Sequence, residues 1–153
     1  MSRRYGRNLL GTFFHHYLQE LTATLGETSH FTVREGVEVF FIDHQTPTGQ
    51  VVSVAGQTGE FAPLQVYTRT TVKSMTRLAR ICAEVRADGF AFDDGEYMAE
   101  LRCVAAPIRD PQGDIVASVG ISSPVTRLHS RAVARAAAEV KKTARAISAS
   151  LAG

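Results

Sequence analysis

The first stretch with a clear period is helical. Leu10, Phe13, Phe14, Tyr17, Leu18, Leu21 and Leu25 recur every three or four residues, which places them on one stripe of an α-helix. Gly26 follows where a helix end favours a residue that takes positive φ at little cost. The pattern then turns to alternation. In "HFTVREGVEVFFIDH" (30–44), Phe31 and Val33 share one face, and Val37, Val39 and Phe41 share one face of a second run. The hinge at Glu35-Gly36 predicts a hairpin. "QVVSVAG" (50–56) reads as a third strand, and the period dissolves between Gly56 and Thr71 into a loop of Gly, Pro and Thr.

Ser74 is a natural N-cap for a second helix, with Met75, Leu78, Cys82 and Val85 as its stripe and Gly89 as its stop. On that stripe Cys82 is expected to be a small core residue. "LRCVAAPIRD" and "DIVASVGISS" are two more strands, joined by a turn in which Pro111 and Gly113 supply the geometry. A last helix is expected from near Val125, burying Val133, Ala136, Val140, Ala144, Ile147 and Leu151. The predicted order is helix, three strands, helix, two strands, helix. This describes one α+β domain spanning residues 1–153, with a central antiparallel sheet of about five to six strands flanked by helices.

Composition agrees with a globular chain of 153 residues, 44% hydrophobic and 21% charged. Neither a signal peptide nor a membrane span is legible at the N-terminus. Cys82 and Cys103 fit no disulfide or Cys-x-x-Cys framework, so a cytoplasmic location and no structural zinc are expected. The net charge of +2 conceals asymmetry: Arg3, Arg4 and Arg7 make residues 1–8 basic, and Arg127, Arg131, Arg135, Lys141, Lys142 and Arg145 do the same near the end. Residues 1–8 are expected as a flexible basic end. The later cations fit a solvated helix face, with Arg131 and Arg135 available to a partner.

The chemistry concentrates in "FAFDDGEYMAELRCVAAPIRD" (90–110). Alternation puts Leu101, Cys103 and Ala105 on one face of their strand, and Ser118, Gly120 and Ser122 on one face of the next. So slight a row leaves room for a ligand unless another element packs onto it. Cys103 is either a small hydrophobe or a reactive thiol; Asp93 and Asp94 nearby disfavour the thiolate a nucleophile requires. Asp93, Asp94, Gly95 and Glu96 also suit a turn. His15 and His16 are adjacent and point about 100° apart on a helix, so no metal site and no cofactor are expected. Nucleotide and hydrolase signatures are absent from the sequence.

Residues 84–128, "EVRADGFAFDDGEYMAELRCVAAPIRDPQGDIVASVGISSPVTRL", resemble the effector-binding half of IclR-type bacterial transcriptional regulators. The family's acidic turn, its Cys-(Val/Ile)-Ala-Ala-Pro strand, its Asp/Gly turn and its Arg-Leu pair occur in order. The helix-then-hairpin of "YLQELTATLGETSHFTVREGVEVFFID" is similar to the family as well. The resemblance implies a GAF-like fold, a homo-oligomer (a dimer or tetramer), and a small organic or aromatic acid as ligand. Carried over by motif, the ligand-binding positions are Asp93, Cys103, Gly120 and Ser122, with Ser118 in the same row and no catalytic residue. Two departures stand out. Part of the family's pocket segment after Pro63-Leu64 is missing, and no helix-turn-helix is present, so no nucleic-acid or membrane contact is expected from this chain. The alternatives to a sensing domain are an enzyme reusing the cavity with Asp93 as acid or base, and a protein-interaction module.

Overall fold

The computed structural model describes residues 3–35, 38–50 and 65–153. Helix α1 (Arg3–Leu25) leads into strands β1 (Thr28–Glu35) and β2 (Glu38–Gln45). Helix α2 (Met75–Asp88), strands β3 (Ala91–Asp94), β4 (Leu101–Arg109) and β5 (Ile115–Pro124), and helix α3 (Ser130–Ser150) complete the order. The strands form one antiparallel sheet in the order β2-β1-β5-β4-β3. The α+β architecture is the expected one.

The local signals work as their chemistry dictates. Gly26 and Gly89 end α1 and α2 with positive φ, where a side chain would be strained. Ser74 caps α2, its hydroxyl accepting from Arg77 N–H at 3.2 Å. The hairpin pairs Glu35 with Glu38. Asp110 shapes the β4–β5 turn, its carboxylate accepting from the Gln112 and Asp114 amides.

Four expectations need amendment, and one falls where the chain is not described. The strand expected at 50–56 lies almost wholly outside the described residues, as do Val37 and most of the loop after Gly56. A strand that went unread, β3, occupies 91–94; its Asp-Asp pair suggested a turn, but Phe92 and Asp93 point to opposite faces and pair with Val104 and Cys103. A short, charged strand is a normal sheet edge. Helix α3 starts at Ser130 rather than near Val125, which leaves Arg127 in the turn before it. Helix α1 already runs from Arg3, within the segment expected as a flexible end, since Arg and Leu are good helix formers. Finally, Cys82 is exposed and not a core residue, because none of the α2 side chains is buried.

The core sits on one face of the sheet. Phe31, Val33, Val104, Ala106, Ile108, Ala117, Val119 and Ile121 point from the strands towards Phe14, Leu18 and Leu21 of α1 and Ala136, Val140, Ala144 and Ile147 of α3. Fully burying a Val, Leu or Ile side chain stabilises by about 1.5–3 kcal/mol, so this layer dominates the stability. Arg127 fastens it at one corner. Its guanidinium donates to both Glu27 carboxylate oxygens at 2.8 Å and to Gln50 Oε1, while Arg135 donates to the Thr24 carbonyl near the end of α1. Arg127 thereby ties the corner between α1 and β1 to the chain's last third, while Arg135 touches the end of α1 and stays exposed.

Candidate functional site

The opposite face of the sheet carries the small and polar side chains, and the strand register sets them in two rows. Asp93, Cys103, Ser122 and Thr28 are cross-strand neighbours in one row; Ala91, Ala105, Gly120 and His30 form the next. Pro107, Ser118 and Thr32 follow in a third. Directly opposed residues of an antiparallel sheet share a face, so Asp93, Cys103, Ser118, Gly120 and Ser122 all lie on this side.

Above the β3–β4 edge of that face is a cavity of about 250 Å³, lined by Val72, Leu78, Ile81, Ala91, Phe92, Asp93, Glu96, Cys103 and Ala105. Helix α2 forms its roof through Leu78 and Ile81, neither of them buried. Asp93 and Cys103 are in the wall itself. Ser122 stands behind them, its hydroxyl 3.2 Å from the Cys103 sulfur. Ser118 and Gly120 do not line this cavity. The Ser118 hydroxyl is 2.6 Å from that of Thr32, and the His30 ring lies over Gly120. The open space is therefore displaced towards the sheet edge, because side chains from β1 fill what the slight residues of β5 leave.

The acidic turn is held rigidly from outside. Asp93 Oδ1 accepts from the Glu96 amide at 2.7 Å. Thr68 and Thr70 hydroxyls each donate to the Gly95 carbonyl at 2.7 Å, and Thr71 donates to that of Glu96. Tyr67 packs edge-on against Tyr97. This "YTRTT" clamp, read from the sequence only as loop, is what fixes the carboxyl beside the cavity. Arg102 braces the other end, donating to Asp94 Oδ1 at 2.6 Å and to the Leu128 carbonyl.

Burial sets the protonation of the wall. It raises the Asp93 carboxyl above the usual aspartate range, against two backbone donors that lower it. It raises Glu96 too, with the nearby Asp93 charge adding to the effect. The Cys103 thiol is pushed up to about 11, again chiefly by burial, so it is protonated at neutral pH. A thiol in that state is a hydrogen-bonding wall group, not a nucleophile. Among the described residues no group of three His, Cys, Asp or Glu side chains is arranged to hold a metal ion, and no helix is long and apolar enough to cross a membrane.

Residues 60–149 match the family model described as bacterial transcriptional regulator IclR C-terminal. The chain belongs to the IclR family. It is 35% identical over 105 residues to the HTH-type transcriptional repressor AllR of Klebsiella pneumoniae, a match covering 69% of this chain and 37% of that protein. The chain thus spans little more than a third of the length of that curated relative. Among solved structures, the Thermotoga maritima IclR superposes with a TM-score of 0.83 at 23% identity, over 91% of this chain and 67% of that one. The C-terminal domain of E. coli KdgR does so with 0.78 at 22% identity, over 92% and 96%. The fold is that of the IclR effector domain. Pro63-Leu64 lie outside the described residues, and the segment expected to be short follows them as "QVYTRTTVKS" (65–74), which holds the threonine clamp.

Proposed function

We propose that this chain is the small-molecule sensing domain of an IclR-type regulator, with its ligand seated between α2 and the β3–β4 edge of the sheet. The observation that carries this reading is the cavity itself: Leu78 and Ile81 above, Cys103 and Ala105 below, and the Asp93 carboxyl at one side. A ligand there gains by burying apolar surface that α2 does not bury for itself, while Asp93, Cys103 and, behind it, Ser122 supply hydrogen-bonding groups.

Regulation follows from how α2 is attached. Its far end is tied to α3, since Lys141 Nζ donates to the Asp88 carbonyl at 3.0 Å and stands over the Phe90 ring. A ligand that favours one placement of α2 shifts that equilibrium by its difference in affinity for the two placements. Through Lys141 the shift reaches α3, which offers Arg131 and Arg135 towards a second copy of the chain. Self-association and control of a DNA-binding part belong to this proposal.

Thermal denaturation against a library of small polar and aromatic compounds tests it. A ligand present at 100 times its Kd adds about 2.7 kcal/mol and raises Tm by roughly 5–10 °C for a chain of this size. Cys103→Leu, which fills the cavity floor, removes that shift; an undiminished shift in this variant rules the site out. The raised Asp93 carboxyl favours one other reading, an enzyme with Asp93 as general acid. That reading requires turnover that Asp93→Asn abolishes without lowering Tm.

A further inference from the structure

The pairing of β3 with β4 stops at Ala105, so the outer edge of β4 is left uncovered beyond it. A second cavity, of about 370 Å³, opens there between β4, the end of α2 and the second half of α3. It shares no residue with the cavity under α2. Ala106 and Ala144, both buried, form its apolar floor. Pro107 has no N–H to offer at this edge. The Arg109 N–H is already met by the Ser148 hydroxyl at 2.9 Å, which itself donates to the Ala144 carbonyl. An incoming strand would find no N–H donor at either position, so the space suits a small molecule.

The wall of this cavity is basic. Arg109, Lys141 and Arg145 line it against one carboxylate, Asp88, three positive charges to one negative. Among the described residues no carboxylate pairs with any of the three cations. Arg102, Arg127 and Lys142, by contrast, each have an acid partner. Lys141 donates to the Asp88 carbonyl and covers the Phe90 ring, and Arg109 donates to the Gly113 carbonyl at 2.7 Å. Arg145 has no hydrogen-bond partner among the described residues. Those carbonyls are neutral acceptors and leave donors spare, because an ammonium carries three N–H groups and a guanidinium five. The dipole of α3 does not account for Lys141 and Arg145, since its last turn holds no basic residue. Like charges gathered round a concave apolar floor repel one another, and their field concentrates on anions.

We infer that this cavity is a second ligand site, taking a small phosphate monoester whose dianionic head lies among Arg109, Lys141 and Arg145 and whose body lies on Ala106 and Ala144. A guanidinium fork matches two oxygens of a phosphate, and an ammonium supplies a point charge beside them. Three cations less one carboxylate leave a local excess of two, and a monoester carries nearly two negative charges at neutral pH. A phosphodiester carries one only, so a nucleic-acid backbone matches the site less well.

Inorganic phosphate, glycerol 3-phosphate and phenyl phosphate, with dimethyl phosphate as the singly charged control, are titrated into the full chain by calorimetry at constant ionic strength. At least one monoester is expected to bind, and dimethyl phosphate to fail. Lowering the pH from about 7.5 to about 5.5 protonates the monoester, whose second pKa is about 6, and weakens binding about fourfold, in proportion to the lost dianion. No histidine lines the cavity among the described residues, and this readout needs no variant to fold. Arg145→Ala and Arg109→Gln each weaken the monoester by about tenfold or more, the loss of one charge-assisted hydrogen bond, without lowering the Tm of the unliganded protein. Cys103→Leu leaves the affinity unchanged. Failure of every monoester to bind the wild-type chain overturns the inference, and so does dimethyl phosphate or a short DNA duplex that binds as tightly. An affinity indifferent to pH, or to either arginine substitution, overturns it as well. Binding lost in Cys103→Leu moves the anion to the first cavity and ends the second-site reading. None of these failures touches the effector reading, whose own test is the thermal shift abolished by Cys103→Leu.

Discussion

The two faces of the sheet are built to opposite specifications. On one, Val104, Val119, Ile121 and Ile108 are sealed under α1 and α3, and five α3 side chains are buried with them. On the other, α2 buries none of its side chains, Met75 is 61% exposed, and the strands present hydroxyls, a thiol, a carboxyl and an imidazole. The first face is close-packed because volume mismatch there costs stability directly. The second keeps a cavity open because its helix is held by a cap at one end and a lysine at the other rather than by a packed seam. Close packing and open space are thus assigned to different sides of the same five strands, and neither has to be traded for the other.

The largest expected effect tests the packed face. Ile121→Ala should cost about 3–4 kcal/mol in urea denaturation, the usual range for emptying a fully buried aliphatic site. A loss below about 1 kcal/mol would mean that this layer does not carry the stability.

Next comes the pH dependence that the polar face imposes. The folded-state pKa of His30 is about 4, against 6.5 for an unperturbed imidazole. Between these values the unfolded chain binds the extra proton, so stability rises with pH across that window. It is fully present above 6.5 and lost as pH falls towards 4. The His44 charge across the strand acts in the same direction as burial. The contribution is on the order of 3 kcal/mol. Raised carboxyls at Asp93 and Glu96 work the other way, since their ionisation is what burial opposes, and they blunt the slope at the acid end. Denaturation midpoints between pH 4 and 7 should therefore climb in the wild type and flatten in His30→Phe; an equal slope in both places the titration elsewhere.

The smallest effect sharpens the comparison most. Leu78→Ala on α2 should cost under about 1 kcal/mol in the unliganded protein, because little of its surface is buried to begin with. The same variant should weaken ligand binding. If it destabilised as much as Ile121→Ala, the two faces would be equivalent and the contrast would fail.

Much of this was readable in advance, for a physical reason that differs by element. Helices α1 and α3 were legible because one stripe of each is truly buried, so the 3.6-residue period survives in Phe14, Leu18 and Leu21 and in Ala136, Val140, Ala144 and Ile147. The apparent stripe of α2 misled about Cys82: an amphipathic face records that a helix can pack, not how closely it does. Strand β3 was missed because Asp93 and Asp94 mimic a turn, and at a sheet edge one polar face and one exposed end erase the alternation. Of the site, Asp93 and Cys103 were visible from motif and alternation. His30 was not among the site residues read from the sequence, since a histidine between Ser29 and Phe31 gives no sign of what it will cover.

By itself the sequence determined the types of every described element but β3, the capping at Ser74 and Gly89, and which side chains of β4 and β5 share a face, since these depend on residues a few positions apart. Only the tertiary structure decided which slight residues stay uncovered. Ser118, Gly120 and Ser122 are alike in size, yet Thr32 answers the first, His30 fills the second, and Cys103 joins the third to a cavity. Those outcomes depend on the register of β1 and β4 against β5 and on how far α2 stands off the sheet. Such distances are set by long-range packing, which the local pattern of a chain does not encode.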